Sequence, residues 1–205
     1  MPIDLFARYT ATRSLLRLKN SNLIRCLNYG HSSLRLDTTI TTDYMLPQLN
    51  FNHRFKVDIP DRSFWHEGYA DPADEVKFYT DGSKTEEGVG AAVFCKNLNL
   101  NLSYRIPDQS SIFQAEIIAI YKAAKTALNS QTAGKTINIF VDSQAALKAL
   151  NSSQIKSKTA MDCFQTLQLL GANKRVRLCW VPGHSNITGN EIADSLAREG
   201  SALCK

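Results

Sequence analysis

The 205-residue sequence lacks the features that mark membrane and secreted proteins. No apolar run approaches the roughly 20 residues that a membrane-spanning helix needs. The first residues also lack the basic segment and apolar core of a signal peptide. We therefore expect an intracellular protein, nuclear or cytoplasmic, that is not secreted and has no membrane partner.

The sequence also lacks any closely spaced pair of cysteines. Its five cysteines are odd in number and widely separated, which argues against a disulfide framework or a zinc site and favours a reducing compartment. They are Cys26, Cys95, Cys163, Cys179 and Cys204.

Charge is modest, with 21% charged residues and a formal net charge of +5. A surplus this small does not by itself identify a nucleic-acid binder, although most of it lies after Asp74 and is compatible with a polyanionic partner. The hydrophobic content of 43% is that of an ordinary globular protein. The length allows one domain with an appendage, or two small domains.

Residues 1–74 are predicted to form a partly helical N-terminal extension, with the main domain over residues 75–205. Apolar residues between Leu5 and Leu18 interleave with arginines, which predicts an amphipathic packing helix. The alternative is that these arginines contact a nucleic-acid backbone. Residues 37–74 lose periodicity and contain several prolines, so we expect a segment that docks partly on the domain or stays mobile.

From Val76 onward the hydrophobic period predicts alternating secondary structure. Three strands joined by short connections favour an antiparallel meander, and Gly82 and Ser83 are expected to turn the chain after the first of them. A helix with a 3.6-residue period follows, and then a strand, two short helices, a strand and a last helix over about 188–202. The order βββαβααβα predicts an α/β fold, with a mixed five-stranded sheet flanked by helices.

Four carboxylates occupy comparable places in this pattern. Asp81 and Asp142 end the first and fourth predicted strands, so both emerge at one sheet edge if those strands are parallel neighbours. Glu116 lies near the start of its helix, and Asp194 lies early in the last helix. Four converging acids need cations, and oxygen-only sites suit Mg²⁺ or Mn²⁺. Two such ions can activate water and stabilise the leaving oxygen in phosphodiester hydrolysis.

Each acid alone also has an ordinary structural interpretation. Asp81 could cap a turn, Asp142 could cap a helix, and Glu116 could be a solvated helix residue. Asp194 could pair with Arg198 one turn later. His184 follows a Pro-Gly pair, so it should lie on a loop, either simply exposed or relaying protons beside a metal cluster. The functional interpretation depends on the joint placement of these residues.

The run from about Val76 to Gly200 resembles type 1 ribonuclease H. Four ordered motifs carry the resemblance: Thr80–Ser83, Gln114–Glu116, Val141–Gln144 and Trp180–Asp194. The last motif looks most like the ribonuclease H domain at the C-terminal end of non-LTR retrotransposon reverse transcriptase polyproteins. Residues 3–8 are similar to the stretch that connects reverse transcriptase to that domain.

The resemblance implies cleavage of the RNA strand of RNA–DNA hybrids by a two-metal mechanism. It assigns Mg²⁺ coordination, with Mn²⁺ as an alternative, to Asp81, Glu116, Asp142 and Asp194, and proton transfer or product release to His184. It also assigns supporting or substrate-binding roles to Ser83, Gln114, Ser143, Gln144 and Asn190. A reverse transcriptase domain of the same polyprotein is the implied protein partner.

The sequence departs from the family pattern in two places. Many members have an asparagine where Ile112 stands, and the stretch after Asp142 is too short for the basic helix that some members carry. Two alternatives to a hybrid endoribonuclease remain: a non-catalytic nucleic-acid-binding remnant of the polyprotein, and an integrase- or exonuclease-type nuclease. The intact acids argue against the first, and the His184 loop and Asn190 against the second.

Overall fold

The strands form two sheets in this computed structural model, which describes residues 43–65, 75–130 and 136–204. In chain order the elements are β1 (Tyr44–Leu49), β2 (Lys56–Asp58), β3 (Glu75–Lys84), β4 (Val89–Cys95), β5 (Leu100–Ile106), α1 (Ile112–Asn129), β6 (Thr136–Val141), α2 (Gln144–Leu150), β7 (Gln154–Ser157), α3 (Lys158–Gly171), β8 (Val176–Trp180) and α4 (Thr188–Ala202). Single 3₁₀ turns lie at Arg62–Trp65 and Lys96–Leu98. Among the helices of these ranges, none is both long enough and apolar enough to span a bilayer.

The main sheet has six strands in the order β2-β8-β6-β3-β4-β5. The first four run parallel to one another, and β3, β4 and β5 form the predicted antiparallel meander. The α/β fold with a mixed sheet flanked by helices is thus confirmed. The five predicted strands are present, and β2 adds a sixth at one edge. Its three residues are too few to show an alternating pattern, and pairing with β8 defines it.

A second, two-stranded sheet was not predicted. Strand β1 pairs antiparallel with β7, which interrupts the two helices expected after β6. Asp43 connects this two-stranded sheet to the start of α3. Its carboxylate accepts hydrogen bonds from Ser157 Oγ at 2.6 Å and from the backbone N–H of Thr159 at 2.8 Å. The helix expected near the N-terminus lies outside the described residues.

The helices cover both faces of the main sheet. Helices α1 and α3 pack together over one face, above a core that includes Phe78, Ile139 and Leu178. Helix α4 covers the other face, where Gly90 lies so close to it that a Cβ would stand 2.2 Å from the Ala197 carbonyl oxygen. Ser111 begins α1 as its N-cap and forms a reciprocal capping box with Gln114.

Strand β3 is longer than the sequence pattern suggested. The expected turn at Gly82 and Ser83 is wrong, since β3 continues to Lys84 and pairs with β4 along that length. The chain turns later, where the Thr85 N–H bonds to the Gly88 carbonyl at 2.8 Å. Thr80 pairs with Val141, the last residue of β6. The residues of β3 after Thr80 therefore extend past the end of β6 and leave an open edge beside Asp81.

Candidate metal centre

Three carboxylates meet at the open edge beside the end of β6. Asp81, Glu116 and Asp142 each offer one oxygen, and the three oxygens lie within 4.8 Å of one another. Asp81 and Glu116 are only 5% and 7% exposed. Burying several like charges together is strongly unfavourable unless protons or cations neutralise them.

The parallel pairing of β3 with β6 brings the two aspartates together. Asp81 follows Thr80 in β3, and Asp142 follows Val141 in β6, so the register that pairs Thr80 with Val141 sets the two acids side by side. The Asp142 backbone is held further by Trp180, whose indole Nε1 donates to the Asp142 carbonyl at 3.0 Å. The predicted convergence of Asp81 and Asp142 at one edge is therefore what the structure has.

Glu116 reaches the same edge because α1 passes very close to β3. A Cβ on Gly82 would lie 2.5 Å from the Glu116 backbone nitrogen and 2.8 Å from the Ala115 Cβ. Only a glycine permits this approach. The backbone of Gly82 also partly lowers the pKa of the Asp81 and Glu116 carboxyl groups. Glu116 therefore joins the two aspartates at the sheet edge, and the alternative that it is a solvated helix residue is wrong.

The three acids resist ionisation. Burial, and then the charges of Asp142 and Asp194, raise the pKa of Asp81 to about 8. Burial, followed by the charges of Asp81 and Asp142, holds the pKa of Glu116 well above its usual range. Burial also raises the pKa of Asp142, although a hydrogen bond from Asn190 and the proximity of His184 oppose this. A bound cation would favour the ionised form of all three groups and so oppose these shifts.

The donor set fits a hard divalent cation. All three groups supply carboxylate oxygens, which Mg²⁺ and Mn²⁺ prefer over nitrogen and sulfur ligands. Glu116 Oε2 is buried without a hydrogen-bond partner among the described residues. A buried carboxylate oxygen without a donor is costly, and a metal ion at this position would satisfy it.

Asp194 does not join the three-carboxylate group. The interpretation that it pairs with Arg198 is confirmed, since Arg198 Nη2 lies 2.7 Å from Asp194 Oδ2 and Arg198 Nε lies 3.2 Å from Oδ1. The two residues stand one helical turn apart on α4, which favours the pair. Asp194 is still close enough for its charge to raise the pKa of Asp81 and Asp142.

His184 lies on an exposed turn between β8 and α4, as expected. Its φ of 51° is in the left-handed region, and Asn186 two residues later has a φ of 57°. The proximity of His184 lowers the pKa of Asp142, so the imidazole lies beside the carboxylate group. Ser185 ties this turn to the first part of the chain, because its Oγ accepts a hydrogen bond from Arg62 Nη2 at 3.2 Å.

Most residues expected to contact substrate have side chains that form hydrogen bonds within the protein. Ser83 lies on the part of β3 beyond β6, and its hydroxyl bonds to no other residue in the described ranges. Gln114 Oε1 accepts from the Ser111 N–H at 2.8 Å, Ser143 caps α2, and Gln144 accepts from Lys148. Asn190 is 3% exposed and donates from Nδ2 to Asp142 Oδ2 at 3.5 Å. Asn190 thus supports Asp142 directly.

Three residues that shape this site were not predicted to do so. Gly82 was interpreted as a turn residue, Trp180 was named only as the first residue of a family motif, and Arg62 carried no assignment. A glycine directly after a strand aspartate is a signal for close backbone approach that could have identified Gly82. The contacts of Trp180 and Arg62 depend on residues 38 and 123 positions away, and local sequence carries no signal for them.

Residues 73–202, well over half of the chain, match the family model described as RNase H. The matched range contains Asp81, Glu116, Asp142 and Asp194, together with His184 and Asn190.

Proposed function

The chain belongs to the RNase H family, and on that basis we propose that it is a metal-dependent endonuclease that hydrolyses the RNA strand of RNA–DNA hybrids. The observation that carries the proposal is the buried group of three carboxylates in which Glu116 Oε2 has no partner among the described residues. Oxygen-only ligands favour Mg²⁺ as the physiological ion, with Mn²⁺ as an alternative.

In this proposal Asp81, Glu116 and Asp142 hold the metal, and Asp194 completes a two-ion site when Arg198 releases it. Bound divalent cations supply activation of the attacking water and stabilisation of the leaving oxygen. The water oxygen bonds to phosphorus and the bond from phosphorus to the 3′ oxygen breaks, which leaves a 5′-phosphate and a 3′-hydroxyl. His184, on the exposed turn beside Asp142, relays a proton during this exchange or helps the product to leave.

The residues around the carboxylates are proposed to bind the hybrid. Ser83, Gln114, Ser143 and Gln144 would contact its backbone, while Asn190 keeps Asp142 in place. Recognition would use 2′-hydroxyl groups and the shape of the helix, with little reading of base sequence. Ile112 is 46% exposed at the start of α1 and offers no hydrogen bond there from its side chain.

We further propose that the domain derives from a non-LTR retrotransposon polyprotein, with a reverse transcriptase domain as its partner. The motif from Trp180 to Asp194 supports this origin. Residues 1–74 would be the connection to that partner, and residues 75–205 the ribonuclease H domain. Tethering to a polymerase would raise the local concentration of hybrid for a domain with few basic contacts.

An assay with three labelled substrates tests the activity. We expect cleavage of the RNA–DNA hybrid but not of duplex DNA or duplex RNA, and we expect a chelator to stop it. Asp142→Asn should nearly abolish cleavage, whereas Asp162→Asn, the same change on the exposed face of α3, should leave it intact. Undiminished cleavage in chelator, or by Asp142→Asn, would contradict the proposal.

A further inference from the structure

A basic cavity opens at the end of the main sheet opposite to the carboxylates. It has a volume of about 590 Å³ and is lined by residues at the starting ends of β2, β3, β6 and β8. The lining residues are His53, Arg54, Phe55, Lys56, Glu75, Thr136, Arg175, Val176 and Arg177. Asp81 lies six residues after Glu75 along β3, so the cavity lies about 20 Å from the metal centre along the strand direction.

Positive charge predominates in this cavity. Arg54, Lys56, Arg175 and Arg177 line it, against the single carboxylate of Glu75. Asp58, next to the cavity, forms ion pairs with both Lys56 Nζ at 2.9 Å and Arg177 Nη2 at 3.2 Å. One negative charge therefore faces two positive charges. The guanidinium groups of Arg54 and Arg175 make no ion pair with any described residue. Two forked cationic donors are therefore available to an anion.

The segment that carries Arg54 is rigidly held. Gln168 of α3 accepts from the Arg54 backbone N–H at 2.6 Å and donates to the Asn52 carbonyl at 2.5 Å. The backbone of Arg54 also packs against Gly171, where a Cβ would lie 2.1 Å from the Arg54 carbonyl oxygen. Phe55 is buried in the main core. The arginine is thus presented from a fixed backbone, which reduces the entropy lost when a ligand binds.

His53 supplies a further polar group. Its ring packs edge-on against Phe55 and Phe164, with centroids 5.4 and 5.2 Å away. These contacts fix the ring, yet its Nε2 is buried without a hydrogen-bond partner in the described part of the chain. A buried imidazole nitrogen without a partner calls for a ligand atom or water.

We propose that this cavity binds a phosphate group, held by the guanidinium groups of Arg54 and Arg175 with His53 at its wall. A guanidinium group can donate two parallel hydrogen bonds to two oxygens of a phosphate group. The surplus of positive charge in the cavity favours the binding of an anion. The phosphate belongs to a nucleic-acid strand or to a free nucleotide, which present the same chemistry. The proposal goes beyond the cleavage reaction and depends on neither the metal centre nor catalysis.

Titration of the full chain with inorganic phosphate tests the site, with the imidazole NMR signal of His53 as the local readout. The chain has only four histidines, and His53→Gln identifies the signal. We expect phosphate to shift this signal in a saturable way, while chloride at matched ionic strength does not. Arg54→Gln with Arg175→Gln should weaken phosphate binding by about tenfold or more, since each substitution removes a charge-assisted hydrogen bond.

The matched control is Lys96→Gln with Lys125→Gln, which removes the same charge from exposed positions away from the cavity and should leave binding unchanged. Competition by single-stranded DNA with a 5′-phosphate, or by a mononucleotide alone, distinguishes the two sources of the phosphate. Circular dichroism checks that each variant is folded. A His53 signal that phosphate does not move, or moves equally in the folded double-arginine variant, would overturn the proposal.

Discussion

Arg198 holds Asp194 through two hydrogen bonds, at 2.7 and 3.2 Å, and Asp194 stands apart from the group formed by Asp81, Glu116 and Asp142. The two side chains are 59% and 27% exposed. An exposed ion pair of this kind contributes only about 0.2–1 kcal/mol to stability. A divalent cation can therefore compete with Arg198 for Asp194 at little cost.

We expect Arg198→Gln to tighten the apparent affinity for Mg²⁺ by a few-fold, because it frees Asp194 and removes a cation from beside the site. By the same estimate of about 0.2–1 kcal/mol, the melting temperature should hardly change. Mg²⁺ titration followed by calorimetry and by cleavage rate would measure the effect, with Lys125→Gln as the control for loss of one positive charge. An unchanged or weaker Mg²⁺ affinity would show that the pair does not limit access to Asp194.

Gly82→Ala should damage both stability and metal binding. The added methyl group would lie 2.5 Å from the Glu116 nitrogen, so α1 must move away from β3. Overpacking of this kind costs about 1–3 kcal/mol. The melting temperature and the Mg²⁺ affinity should both fall. Ser83→Ala, at the next position of β3, should leave the melting temperature nearly unchanged. Full metal affinity in Gly82→Ala would mean that Glu116 does not depend on this contact.

The pH dependence of stability should change sign when metal binds. Burial and neighbouring charges raise the pKa of Asp81 to about 8 and also raise those of Glu116 and Asp142, so the metal-free folded state holds more protons than the unfolded chain. Stability in chelator should therefore fall as the pH rises from the ordinary carboxylate range towards 8. Metal binding releases those protons, so the stabilisation by Mg²⁺ should grow over the same range.

Melting temperatures measured across this pH range, in chelator and in Mg²⁺, would test the expectation. Asp81→Asn should flatten the chelator curve because it removes the group that must lose a proton, and Asp162→Asn should not alter the curve. A chelator curve that rises between pH 5 and 8, the range where most proteins are most stable, would contradict the proposed burial of these acids.

Local patterns predicted the elements that surround the site because their signals lie within short stretches of sequence. The alternation along β5 and the helical period of α1 are examples, and the apolar run that ends at Asp142 marked β6. The parallel pairing of β3 with β6 was only a condition of the sequence argument, and the structure has that pairing, which brings Asp81 and Asp142 together.

What the sequence missed depends on distant contacts. Strand β2 is defined by pairing with β8, and β1 by pairing with β7, more than 100 residues later in each case. The continuation of β3 through Gly82 was missed because a glycine after an aspartate also suits a turn. In the structure Gly82 instead lets α1 pack closely against β3, and this contact is defined only by the tertiary fold.

Phe55 gives a test of how far the residues before Asp74 support the domain. The sequence predicts that a chain starting near Asp74 folds and stays active. The structure shows Phe55 only 7% exposed in the main core, against Phe164 at 5.5 Å. We expect Phe55→Ala to destabilise the full chain by about 3–5 kcal/mol. Phe51→Ala is the matched control, since Phe51 is 79% exposed and its removal should cost less than about 0.5 kcal/mol.

Equal melting temperatures for these two variants would show that residues 43–58 contribute little to the fold. A large difference between them predicts instead that the chain starting near Asp74 unfolds at a lower temperature. Its metal-dependent activity should persist below that temperature, because the described residues before Asp74 provide none of the three clustered carboxylates.

The turn that carries His184 is held by hydrogen bonds, and both the turn and its histidine should affect the rate of cleavage. Arg62 donates to Ser185 Oγ, and Ser185 in turn donates to the Gly183 carbonyl at 3.1 Å, so Arg62 braces both sides of the histidine. His184→Ala should lower the cleavage rate by about 10²–10⁴-fold but leave measurable activity, since a proton relay contributes an amount of that order. Asp142→Asn should be far more damaging because it removes a formal charge from the proposed metal site.

The cleavage rate of Arg62→Ala should lie between those of the wild type and His184→Ala, since this substitution loosens the turn without removing the imidazole. Single-turnover cleavage of labelled hybrid at saturating Mg²⁺ measures all three variants. The Mg²⁺ affinity of Arg62→Ala and His184→Ala should match that of the wild type, which separates proton relay from metal binding. Combining Arg62→Ala with His184→Ala should add nothing to the loss caused by His184→Ala alone, because Arg62 acts through the histidine. A further loss in the double variant would assign Arg62 a role independent of His184, such as direct contact with the hybrid.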